Sequence, residues 1–119
     1  MAVRRLKSYT GQTGYVYQYY FVGSRPSRNS AVAGTEYIFD VTADRKTMFA
    51  VTVAIRRESL EGWALTHGRQ LSGTEQYASA KMRLFQAFDN VEKMMEDGRH
   101  LQVDSGNIEE LLAPLELDG

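Results

Sequence analysis

Thr35-Glu36-Tyr37-Ile38-Phe39-Asp40-Val41-Thr42, then Ala43-Asp44-Arg45-Lys46, then Thr47-Met48-Phe49-Ala50-Val51-Thr52-Val53-Ala54-Ile55-Arg56 is the stretch that decides the fold. Tyr37, Phe39 and Val41 alternate with Glu36, Asp40 and Thr42. Phe49, Val51, Val53 and Ile55 alternate with small or polar residues. A period of two places each apolar set on one face of a pleated strand. The break between them holds an aspartate, whose side chain can bond its own backbone nearby, so the pair reads as a β-hairpin.

Upstream lies Tyr15-Val16-Tyr17-Gln18-Tyr19-Tyr20-Phe21-Val22, bounded by Gly14 and Gly23. Aromatic and β-branched residues favour a half-buried pleated surface, so this is a further strand. Tyr15, Tyr17, Tyr19 and Phe21 share one face. Between it and the hairpin, residues 23–34 are polar, include Pro26 and lack periodicity, which predicts a long mobile loop.

Downstream, Ser59 to Gly68 has Leu60, Trp63, Ala64 and His67 at helical spacing, a short helix weakened by Gly62. The long helix is plainer. Ser72-Gly73-Thr74-Glu75 fits a capping box. Tyr77, Ala80, Leu84, Ala87, Phe88, Val91, Met94 and Met95 then form an apolar stripe, and Asp97-Gly98 is the expected stop. His100 to Asp104 reads as a short strand, and Asn107 to Leu112 as a final turn or two before Pro114. The expected fold class is α+β: a three- to four-stranded antiparallel β-meander with one long amphipathic helix packed on one face, in the order β-β-β-α with short C-terminal elements. The chain has 119 residues, which fits a single domain over 1–119, with 1–13 and 114–119 loosely ordered.

Composition excludes several chemistries. There is no cysteine, so disulfide frameworks, thiolate metal sites and cysteine nucleophiles are ruled out, and a reducing, cytoplasmic setting is expected. No stretch approaches the roughly 18 apolar residues of a membrane span. Charge is uneven: residues 1–57 hold nine basic and three acidic side chains, whereas residues 58–119 hold five and 12. Such asymmetry hints at an anionic partner or at two surfaces that neutralise each other.

Chemistry-bearing motifs are sparse. His67 and His100 have no helical metal-ligand partner at i+3 or i+4. His67 is a candidate general base with Glu61 or Glu75, and His67 and Arg69 are placed at the mouth of a pocket between sheet and helix. Glu109-Glu110 diverge on a helix, and Glu92 and Glu96 share a helix face near solvent. No glycine pattern cradles a phosphate, and no cofactor is expected. The tyrosine run is the unusual feature. Exposed, Tyr15, Tyr17 and Tyr19 would form a stacking platform for single-stranded nucleic acid, with Arg25 and Arg28 on phosphates. Packed inward, they would serve the core or a partner chain.

Three readings follow, in order. The first is a non-catalytic protein-interaction module that self-associates, most simply as a dimer, or binds another protein. The second is a nucleic-acid-binding domain using Tyr15, Tyr17, Tyr19, Arg25 and Arg28. The third is a small enzyme or ligand-binding protein with His67 and Arg69 at its pocket.

Overall fold

Five strands and four helices are laid down by the described residues, 6–27 and 33–115, of a computed structural model. The strands are β1 (Lys7–Thr10), β2 (Val16–Pro26), β3 (Gly34–Thr42), β4 (Phe49–Arg56) and β5 (His100–Val103). The helices are α1 (Arg57–His67), α2 (Gly73–Asn90), α3 (Met94–Asp97) and α4 (Ile108–Leu112), the last running into a 3-10 turn, Ala113–Leu115. The fold is α+β, and the strands follow chain order across one sheet, β1-β2-β3-β4-β5.

The hairpin read from the sequence is β3 and β4, antiparallel with Phe39 opposite Val51 and Tyr37 opposite Val53. β2 joins with Tyr19 opposite Val41 and Phe21 opposite Phe39. Its register slips between Phe21 and Gly23, a bulge that puts Arg25 beside Glu36 on the face away from the core. Tyr17, Tyr19, Phe39, Val41, Val51, Val53 and Ile55 are buried on the other face. α2 lies across that face and adds Ala80, Leu84, Ala87 and Phe88 to the same core. The capping box forms as expected: Ser72 Oγ accepts from Glu75 N at 3.1 Å, and Glu75 Oε1 accepts from Ser72 N at 2.8 Å.

The sheet departs from the expected meander in three ways. Lys7–Thr10, expected to be loose, pairs with β2 because Tyr9 sits opposite Tyr17 and stacks on Phe85 of α2. The expected loop over 23–34 contracts, since β2 continues to Pro26 and β3 starts at Gly34; residues 28–32 lie outside the described residues. The sheet is mixed, because β5 pairs parallel to β4. A chain that leaves the end of β4 and crosses the sheet through α1 and α2 is returned to the start of β4, so its next strand must run the same way.

The long helix also ends early. Asn90 and Val91 are weak helix formers, and Val91 is extended. Length supplies the stronger reason. The 18 residues of α2 span roughly 27 Å, close to the roughly 30 Å of a nine-residue strand. Continuing to Asp97 would push Met94 past the sheet into water. The chain folds back instead, and Met94 is buried at the start of α3.

Candidate functional site

The two groups of residues singled out by the sequence do not form one site. Tyr17 and Tyr19 are 1% and 3% exposed. Tyr17 stacks on Phe88 with centroids 4.2 Å apart and planes 7° from parallel, and Tyr19 meets Phe85 edge-on at 5.6 Å. Burial pushes the Tyr19 phenol up to about 12. The three-tyrosine stacking platform is therefore not formed: the alternation that aligns these rings turns them onto α2. Only Tyr15, just before β2, is open, at 48% exposure. Arg25 lies ten residues further along and bonds Glu36 Oε1 at 2.8 Å. At strand rise that is roughly 33 Å from Tyr15. Arg28 lies outside the described residues.

His67 and Arg69 hold elements together. His67 stacks on Trp63 at 4.1 Å, and its Nε2 is 3.0 Å from both carboxylate oxygens of Glu109. This joins the end of α1 to the start of α4, so the partner of His67 is neither Glu61 nor Glu75. Arg69 donates through Nη1 and Nη2 to the two oxygens of Glu75, each at 2.9 Å, and its guanidinium lies 5.1 Å from the Trp63 ring. The Arg69 bond, then the Ser72 N–H, hold the Glu75 carboxyl down at about 2. A groove of about 320 Å³ runs beside Trp63, between α1 and α4, edged by Ser59, Thr66, Ser105 and Glu109.

The cleft between sheet and helices lies elsewhere, at the Tyr15 end. Its volume is about 220 Å³. Tyr17 from β2, Phe49 from β4 and Met94 from α3 are its buried lining. Tyr15 and Met95, 48% and 44% exposed, are its apolar walls. Glu92 and Lys93 from the break after α2, Glu96 from α3, and Asp44 from the β3–β4 turn supply its charges.

Asp44 is the most ordered of these groups. Its Oδ1 accepts from Lys46 N at 2.8 Å, Thr47 N at 2.9 Å and Thr42 Oγ1 at 3.1 Å. The backbone N–H groups of Thr47 and Lys46 hold its carboxyl below the usual carboxylate range. All three of these donors use Oδ1 and none uses Oδ2. The turn thus displays a fixed, ionised carboxylate at the cleft.

No protein-family model, curated protein or solved structure matches this chain.

What the cleft can do follows from its size and lining. Small-molecule and cofactor sites usually enclose roughly 300–1,000 Å³. An apolar cavity of about 150 Å³ accepts a single benzene ring. A 220 Å³ cleft therefore suits one amino-acid side chain or a ring-sized group. Among the described residues, no group of three or more His, Asp or Glu is placed to hold a metal ion, and no helix is long and apolar enough to cross a membrane.

Sequence reading named Tyr15 and Tyr17 of this lining but not its charged groups. Met94 and Met95 read as lining for an adaptable interface or, more simply, as the end of a helix stripe, and Glu92 and Glu96 as a helix face near solvent. The available signal was Asn90-Val91, a pair that argues for ending the helix before the methionines.

Proposed function

We propose that this chain is a non-catalytic protein-interaction module that takes one projecting side chain of another protein into the cleft beside Tyr15. The observation that carries this reading is the pairing of a side-chain-sized cleft with two exposed apolar walls, Tyr15 and Met95. Aromatic residues and methionine are enriched where proteins meet, and methionine adapts its shape to what it touches. His67 and Arg69 are engaged in bonds that fasten helices, which suits a scaffold more than a reaction centre. A cysteine-free chain also fits a reducing compartment such as the cytoplasm.

The edges of the sheet favour a side-chain contact over strand-to-strand pairing between copies. β1 is four residues long and begins with Lys7. At β5, the Gln102 carbonyl accepts from Arg83 Nε at 3.1 Å and Asn107 Nδ2 at 2.9 Å, so side chains occupy an edge position that another strand would need. Light scattering over a concentration series reports whether a second copy supplies the docked side chain.

Panning a random peptide library tests the proposal. Peptides selected on the protein should lose binding to Tyr15→Ser and Met95→Asp variants and keep it on Leu65→Ser, which alters exposed apolar surface on α1. Peptides indifferent to both cleft substitutions, or no enrichment at all, would remove the reading.

A further inference from the structure

We infer that the side chain this cleft takes is basic, with arginine preferred, presented by a partner polypeptide. The inference rests on the cleft being a protein contact, and it adds what that contact selects.

Three features of the cleft converge on a cation. The first is charge. Asp44, Glu92 and Glu96 line the cleft against a single cation, Lys93. Arg45 and Lys46 belong to the same turn as Asp44 but are not among the lining residues. Asp44 Oδ2 is the most directed of the three acids, because its partner oxygen is pinned by three donors. A carboxylate already held in place loses little freedom when a charged donor arrives.

The second feature is the end of α2. The cleft is built at the break that follows this helix, with Glu92 and Lys93 coming directly after Val91. The helix has 18 residues, and its last turn carries no basic side chain. Its C-terminal carbonyls present the negative end of the helix dipole, which favours a cation within about one turn. Thr13 Oγ1 donates to the Phe88 carbonyl at 3.3 Å, and Val91 N to the Ala87 carbonyl at 2.8 Å. Those of Asp89 and Asn90 have no such donor among the described residues.

The third feature is the apolar lining. Phe49 and Met94 can receive an aliphatic stem, and the half-exposed Tyr15 at the wall is a ring on which a planar cation can stack. Guanidinium is more weakly hydrated than ammonium and stacks flat on aromatic rings, so arginine enters such a cleft at lower desolvation cost than lysine. A carboxylate side chain would meet three like charges, and a plain aliphatic one would bring no cation to the Asp44 carboxylate.

The test uses the whole chain and four end-blocked pentapeptides, Gly-Gly-X-Gly-Gly, with X as arginine, lysine, norleucine or glutamate. Methionine methyl resonances are followed by NMR. The arginine peptide should move the Met94 and Met95 methyls with saturation, more strongly at low salt than at moderate salt. Lysine should follow with weaker binding, norleucine should bind about tenfold or more weakly than arginine, and glutamate should bind least. Asp44→Asn keeps the oxygen that holds the turn and replaces the other with an uncharged donor. It should weaken arginine binding about tenfold while leaving the fold intact. The double variant Glu92→Gln/Glu96→Gln should weaken it less and flatten its salt dependence. Norleucine binding as well as arginine, or arginine binding unchanged by Asp44→Asn, would overturn the basic preference yet leave the cleft as a protein contact. Arginine moving neither methyl up to its solubility limit would also overturn it. Selected peptides that depend on Tyr15 and Met95 but carry no basic residue would do the same, so this failure is distinct from failure of the contact itself.

Discussion

Removing the Phe88 ring should cost this protein a large part of its stability, and the cost can be worked from its neighbours. Phe88 is fully buried on α2. Tyr17 lies parallel to it at 4.2 Å, Tyr9 at 5.7 Å, Tyr19 at 6.1 Å and Phe85 at 6.4 Å. These rings come from β1, β2 and α2, so the cluster fastens the N-terminal strands to the helix. Truncating a buried phenylalanine to alanine costs about 3–5 kcal/mol, as lost transfer energy plus the cavity left behind. A domain holds only about 5–15 kcal/mol in total. We therefore expect Phe88→Ala to lose about 4 kcal/mol. Phe85 is only partly buried and stacks on Tyr9 at 4.4 Å, so Phe85→Ala should lose about half as much. Urea unfolding followed by circular dichroism gives both values, with an unchanged m-value required for the comparison. A cycle of Tyr17→Leu and Phe88→Leu, which keeps the core apolar, should show a coupling of about 0.5–1.5 kcal/mol from the stacked pair. A Phe88→Ala cost below about 1.5 kcal/mol, or no greater than that of Phe85→Ala, would refute the placement of this ring at the centre of the core.

Three further outcomes are expected. Tyr19 is raised to about 12, with Tyr9, Tyr17 and Tyr37 also raised by burial. The stability these phenols supply is intact below their ordinary value of about 10 and is lost as pH rises through their folded values. Alkaline difference absorbance should thus show late, cooperative ionisation that Tyr19→Phe reduces, and early independent ionisation of all seven tyrosines would contradict it. Glu75 is held at about 2, so its contribution is present above its ordinary 4.5 and disappears as pH falls towards about 2. Urea-unfolding free energies of the parent and of Glu75→Gln, measured at a series of pH values, should therefore converge as pH falls towards about 2. A side chain added at Gly11 would run into the Phe88 carbonyl, whereas one at Gly23 meets nothing nearby. Gly11→Ala should cost about 1–3 kcal/mol and Gly23→Ala less than about 0.5 kcal/mol by thermal melting.

The parts of the fold that local chemistry determines were readable in advance. Tyr37, Phe39 and Val41 against Val51, Val53 and Ile55 fixed the hairpin by period alone, and Ser72 with Glu75 fixed the start of α2. What escaped depends on residues far apart in sequence. Lys7–Thr10 is a strand because Tyr9 finds Tyr17 and Phe85, and nothing in its own four residues requires it. The parallel direction of β5 depends on where α1 and α2 deliver the chain. The cleft was illegible for the same reason. Tyr15, Asp44 and Met95 are separated by tens of residues and meet only once the helix stops at Asn90. His67 illustrates the converse: its sequence neighbours suggested Glu61 or Glu75, and the three-dimensional neighbour is Glu109.

The parallel pairing of β4 with β5 also sets an order of events as the chain emerges from synthesis. β1 to β4 are joined by short connections and can zip together as hairpins, with small loop-closure cost. β5 cannot join until the three intervening helices have been made, so β4 spends that interval as an exposed edge rich in valine. Such an edge is a template for aggregation. Chains cut before His100 should therefore precipitate where full-length chains stay dispersed. In the finished protein, the β5 amides should exchange with solvent sooner than those of β3, which is flanked on both sides.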